Sequence, residues 1–458
     1  MFRDKVYLST LARIATPIII QQFITMFLNM VDVIMIGQLG EVPLAAVGLA
    51  NQVSFLLNLL MFGISSGAAV FAAQFWGKKD ISGIHKVLGI SLGASLLGAA
   101  FFGILANNFP EKILSFYSKD PAVITTGSEY LKIVWISYFA SAITFSFASI
   151  LRSTENVKLP MFASMIALSM NTVLNYLLIF GNFGFPELGV KGAAIATTIS
   201  RTVELGIMLM LTYKRKTPAA AKIKEMFNIQ WPFIKMYFQT ALPVIVQEIV
   251  WSLGITTYNM VYARIGTESI AAVNIATTID GVAFVLFIGI GNACAIMVGN
   301  KIGAEKDQEA HLYAGRTLKI AAMSAVLVGS LILVGADWFL TFFNISDAAI
   351  AYARNILTFI GLALWIRASN MTIIIGILRS GGDTKFAFYL ELLSIWLAGV
   401  PLALIGAFVL NLEVHIVYLF TIAEEIIKFI IGLIRFLSRK WIHHVANLSE
   451  TVISSKPL

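Results

Sequence analysis

The chain is broken again and again by continuous apolar runs of about 20 residues or more, the length a helix needs to cross roughly 30 Å of hydrocarbon. Of its 458 residues, 58% are hydrophobic and only 13% charged, where soluble chains carry about 25% charge. A soluble fold has too little interior for that much apolar side chain. In lipid only helices and closed barrels satisfy their own backbone. The runs here are continuous rather than alternating, so the expected class is an all-α polytopic membrane protein.

Twelve helices are predicted, near residues 11–35, 44–74, 88–107, 128–152, 160–181, 190–213, 234–262, 269–299, 315–341, 349–378, 386–410 and 413–437. Their connections alternate in charge. One set is basic, with "GKKD" and Lys86, then Arg152 and Lys158, "YKRKTPAAAKIK", Lys301 and Lys306, Arg379 and Lys385, and "RFLSRKW". The other is mixed or acidic, with Glu41, Glu187 and Lys191, Asp337 and Asp347, and Glu413. By the positive-inside rule the basic set, and with it both termini, faces the cytoplasm. The net charge of +8 then belongs to these loops, and nucleic acid is not an expected partner. No apolar core ends in a small-residue cleavage site near "MFRDKVYLST", so no signal peptide is read. The single cysteine, Cys294, excludes an intrachain disulfide, and no histidine has metal-ligand company.

The second half repeats the first. At an offset of 226, "TPIIIQQ" (16–22) falls on "LPVIVQE" (242–248), and "QLGEVPLAAVGLA" (38–50) on "RIGTESIAAVNIA" (264–276). "GKKD" falls on "GAEKD", Gly63 on Gly289 and His85 on His311. By "ILRSTENVK" (150–158) and "ILRSGGDTK" (377–385) the offset is 227. Six helices per copy is an even number, so both copies enter from the same side. They are expected to be related by an axis along the membrane normal. The predicted organisation is an N-terminal lobe over 1–212, a cytoplasmic linker over 213–230 and a C-terminal lobe over 231–458. Two such lobes with a cleft between them can alternate access, which a transporter needs and an enzyme does not. No catalytic residues are predicted.

Ionisable groups in the spans are expensive and so mark cavities or partners. Asp32, in "FLNMVDVIMIG", has no cation within a turn. Asn171 and Asn175 stand at i and i+4 and present two amides to one side. Thr197 and Thr198 lie among small residues that favour close helix packing. These oxygens suit a monovalent cation or a protonated acid. In the second half Glu248 and Asp280 are isolated carboxylates, and Arg367 is a possible partner for either. Glu391, near its helix start, reads as interfacial. Arg201 with Glu204, and Glu424 or Glu425 with Lys428, neutralise themselves locally.

Several stretches in order resemble the multidrug and toxic compound extrusion (MATE) family, its bacterial NorM-like branch most closely. They are the early proline of helix one, "VDVIMIGQLG", "LNYLLIFG" running into "GVKGAAIAT", the acid after "PVIVQ", "ILRSGGDTKF" and "EEIIKFIIGLIRF". The resemblance covers about 10–440. It implies a plasma-membrane antiporter, bacterial or archaeal, that exports organic cations and amphipathic toxic compounds against inward Na+ or H+. It implies no cofactor beyond that coupling ion, and its expected partners are the lipid bilayer and the small substrates, with the chain a monomer. By the resemblance, Asp32, Asn175 and Thr197 match a first-lobe cation or proton site. The second acid of that site falls on Ile179 here. Glu248 matches the helix-seven acid of a second-lobe site. The helix-ten acid is missing, with Arg367 and Asn370 in that span, and Asp280 is our candidate to replace it. The alternatives are a lipid-linked oligosaccharide flippase of the same superfamily, for which Arg367 would be the main cavity cation, and a non-transporting scaffold or receptor. A major-facilitator transporter also has parallel six-helix halves, but "FWGKKDISGIHK" lacks its arginine cluster.

Overall fold

The computed structural model describes residues 4–343 and 345–447. The chain's two ends, whose cytoplasmic placement the loop charges predict, lie outside the described residues. All twelve expected helices form. The first six are Lys5–Gly37, Glu41–Lys78, Ile81–Asn108, the pair Pro121–Val134 and Ile136–Ser153, then Lys158–Phe180 and Val190–Lys214. The pair is bent by 51° at Trp135 and is together long and apolar enough to make one span. The second six are Trp231–Ile265, Thr267–Gly303, Asp307–Leu340, Asp347–Met371 continued as a π-helix over Thr372–Arg379, the span Thr384–Val409, and Val414–Leu437. The eleventh is itself interrupted by π-helical turns at Ser394–Gly399 and Ile405–Val409. The twelfth carries three charges in its middle, where Lys428 pairs with both Glu424 and Glu425 within that helix, at 2.9 and 3.2 Å, and leaves one negative charge over.

The repeat is visible in the backbone of the turns. Lys79 and Glu305, 226 residues apart, both turn left-handed, with φ of 64° and 60°. Glu155 and Gly382, 227 apart, do the same, with φ of 61° and 84°. The two offsets are those of the sequence repeat. Asp80 then caps the third span, its side chain accepting from the Gly83 N–H at 2.9 Å.

The helices gather into two compact units. Among the described residues one is Ile20–Ala241, and the other joins residues 4–19 to the described residues of 242–447. The division therefore falls inside the first and seventh spans, beside Pro17 and Pro243, rather than at residues 213–230. Proline removes one backbone hydrogen bond from a helix and loosens it there. Side chains explain the exchange. Tyr7 bonds Thr317 at 2.8 Å and Asp4 pairs with Arg316, so the start of span one belongs with the second half. Tyr237 donates to the Ile64 carbonyl at 2.9 Å, so the start of span seven belongs with the first. Residues 213–230 are also more ordered than a linker. They hold a short helix, Ile223–Phe227, with Tyr213 donating to the Ala221 carbonyl at 2.7 Å and His85 facing Glu225 at 3.2 Å.

Candidate ion-coupling site

Within the first lobe, spans five and six approach closely. A Cβ on Gly192 would stand 2.4 Å from the Leu178 carbonyl oxygen, so glycine is what lets the two backbones meet. That approach sets Thr197 beside the i, i+4 amides of span five. Asp32 lies against them. The Asn175 side-chain nitrogen donates to one Asp32 oxygen at 2.9 Å. With the Asn171 carboxamide oriented so that both its ends are satisfied, its nitrogen donates to the other at 2.9 Å, and its oxygen accepts from the Thr197 N–H at 3.2 Å. The structure thus brings together the four residues singled out in the sequence. Thr197 takes part through its backbone as well as lining the cavity.

Asp32 forms no ion pair among the described residues. Arg201 faces the same cavity, but it is bound to Glu204 at 2.9 Å, the local pairing read from the sequence. The cavity has a volume of about 500 Å³ and lies wholly within this lobe. Asn51, Ser54, Asn58, Tyr130 and Tyr138 add polar edges, and Phe55, Val47 and Leu44 add apolar wall. The Asn175 side-chain oxygen is buried without a partner. The position that the family pattern gives a second acid, Ile179, is fully buried in the apolar core of the lobe.

The second lobe separates the residues expected in one cavity. Asp280 pairs with Arg367 at 2.6 Å, and the guanidinium also sits over the Phe284 ring. Glu248 pairs instead with Arg379 at 2.7 Å. Arg379 reads in the sequence as a cytoplasmic loop marker, yet it is 3% exposed. Each isolated carboxylate therefore has its own cation, and Asp280 is matched to Arg367 rather than to Glu248. Asn370, in the span that lacks the expected acid, donates to Glu425 at 2.6 Å. Sequence reading missed Arg379 as a partner because no local pattern marks its pairing with Glu248, 131 residues away. The described residues hold no cluster of His, Cys, Asp and Glu able to bind a metal.

A membrane protein of two repeated six-helix units with a polar cavity in one of them has the form of a transporter. The MatE family model matches residues 17–177 and 243–405, whose starts are 226 residues apart, the register of the repeat. The chain belongs to the MatE family. It is 25% identical over 431 residues to a "probable multidrug resistance protein NorM" of Thermotoga maritima, covering 94% of this chain and 92% of that one. It is 29% identical over 398 residues to a protein of the same description from Photorhabdus laumondii, covering 85% and 86%. Its fold is similar to a crystal structure described as MATE in the bent conformation, with a TM-score of 0.86, 21% identity and coverage of 98% and 97%.

Proposed function

We propose that this protein exports amphipathic and cationic toxic compounds by antiport with H+ or Na+, and that the Asp32 cluster is where the coupling ion binds. The observation that carries the reading is Asp32 itself, a half-buried carboxylate held by two amides and by no cation, on the wall of a cavity of about 500 Å³. Such a group must be solvated by protein or neutralised by an ion. Its two amide donors stabilise the charged form. The free Asn175 oxygen can accept from a protonated Asp32 once the amide turns over. The site is therefore equipped for both states, as a coupling site must be. The mixed polar and apolar wall suits an amphipathic guest. The multidrug names of the NorM relatives support the same substrate class.

In the cycle this implies, an ion entering the lobe neutralises Asp32 and changes how the cavity holds its guest. Release of the ion resets it. Coupling requires only that ion and guest bind the same lobe with unequal preference for its states. The test is efflux of a fluorescent cationic dye from reconstituted vesicles, with a proton and a sodium gradient imposed separately. Efflux driven by at least one gradient is expected. Dye that moves under neither would overturn the reading.

A further inference from the structure

Glu391 is a buried carboxylate that neither the family pattern nor the coupling site uses and that has no ion pair among the described residues. It is 8% exposed and sits in the eleventh span, about 10 Å along from its start at 1.5 Å per residue. The Gln247 side-chain nitrogen donates to it from span seven. No cation lies within ion-pair distance of it among the described residues. The charges that face it are Lys428 on span twelve, and Arg379 and Glu248 on spans ten and seven. Each of those cations already pairs with another carboxylate. Arg379 holds Glu248, and Lys428 holds both Glu424 and Glu425. Tyr258 donates to Glu424, and both pack on Gly399, where a Cβ would meet the two side chains. Glu391 is thus surrounded by one carboxylate too many before it ionises. Ionising it would place two uncompensated negative charges in one buried cluster.

Two further observations point to a proton. The Gln247 side-chain oxygen is buried, carries no hydrogen bond and belongs to the same amide that touches Glu391. A protonated Glu391 has the hydroxyl that this oxygen lacks, once the amide turns. The repeat adds a control. At the offset of 227, Glu391 occupies the place of Ser164, and Gln247 that of Gln21 at 226. Gln21 donates to Ser164 at 3.0 Å in the first lobe. The contact is therefore present in both copies, and the fold accepts a neutral partner there.

We propose that Glu391 is a proton site of the second lobe, holding its proton against Gln247 and exchanging it during transport. A proton suits this position better than a sodium ion, which would have to sit against Lys428 and Arg379. The ionised state is provided for as well. Arg379 leaves its Nε and Nη1 donors without partners, and these can take the carboxylate when the proton leaves. The exchange step rests on the antiport reading, whereas occupancy of the site by a proton does not.

The test pairs infrared titration with transport on the reconstituted protein. The wild type should show the carbonyl band of a neutral carboxyl at neutral pH. Glu391→Gln and Glu391→Ser should lose that part of the band, and Asp32→Asn should keep it. The serine variant installs the first lobe's own residue, so it preserves a pairing the fold already makes. Both Glu391 variants should lose about tenfold or more of proton-driven efflux, a typical size for a coupling term, while gradient-free exchange of dye continues. If neither variant changes the band at any pH where the protein is folded, Glu391 carries no proton and the proposal fails. It also fails if the band is lost but proton-driven efflux is unchanged, since the proton is then static. Should the wild type itself drive no efflux, the antiport reading falls, and the titration still decides who holds the proton.

Discussion

A carboxylate in a membrane span needs few partners to be tolerated if they are well placed, and Asp32 has two amides and a cavity. Replacing it by asparagine keeps its size and removes its charge. We predict that Asp32→Asn inserts and melts like the parent but loses at least about tenfold of gradient-driven efflux, measured as initial dye rates under an imposed gradient. Wild-type rates from that variant would make Asp32 a packing residue. The sequence made this site legible because each of its signals is local. An acid stands alone in an apolar run, and two amides stand four residues apart on one helix face. The second lobe was less legible because no local pattern marks its pairings, although they are no more distant than that of Asp32 with Asn175, 143 residues apart. Arg379 finds Glu248 from 131 residues away and Gln247 finds Glu391 from 144. A helix-end reading put Glu391 at the interface, whereas packing from spans seven and twelve buries it. Nothing in a single chain of letters says which of several acids a buried arginine will choose.

Between residues and lobes, the helix is the unit that positions the site. Span length and the repeat were legible because apolar length and a fixed offset survive any detail of side-chain choice. The exchanged starts of spans one and seven were not, since a helix that changes partners midway looks continuous in sequence. The close approach of spans five and six yields a prediction. Gly192→Ala places a methyl carbon where the Leu178 carbonyl oxygen now stands 2.4 Å away, and both atoms are on rigid helices. The spans must separate, which pulls Thr197 from Asn171. Overpacking of this kind costs about 1–3 kcal/mol, so a lower melting midpoint and weaker coupling should appear together. Normal midpoint and normal efflux would show that the approach is incidental. The turns offer a change of opposite sign. Lys79 is exposed and left-handed at φ 64°, a conformation that costs a residue with a Cβ roughly 1 kcal/mol. Lys79→Gly should therefore be neutral or stabilising by up to about that amount, the gain being reduced by glycine's greater freedom when unfolded. Gly382→Ala should destabilise, because its Cβ would also meet Val445 at 2.9 Å.

At the scale of the whole molecule, orientation decides which way an antiporter pumps, and loop charge is the argument for it. The connections after spans two, four, six, eight, ten and twelve are the basic ones, and an even number of spans per copy returns each lobe to the same side. If basic loops face the cytoplasm, Lys79 and Lys158 lie inside, and Glu41 and Glu187 lie outside. All four are exposed in their lobes and so open to a reagent. The only native thiol, Cys294, is fully buried and should stay silent. A cysteine placed at each of the four positions in turn therefore reports its own side. In intact cells, a membrane-impermeant maleimide should label Glu41→Cys and Glu187→Cys at once. It should reach Lys79→Cys and Lys158→Cys only after the membrane is opened. Labelling of the two lysine positions from outside, with the acidic positions protected, would invert the topology. The Asp32 site would then be presented with the opposite gradient, and the same two-lobe structure would have to be read as an importer. Labelling of Lys79→Cys from one side and Lys158→Cys from the other would be a deeper failure. It would mean that one of the two elements between them, Ile81–Asn108 or the bent pair Pro121–Val134 and Ile136–Ser153, does not complete a crossing. That second result would remove the even count on which the parallel arrangement of the two copies depends, whereas inversion would leave it intact.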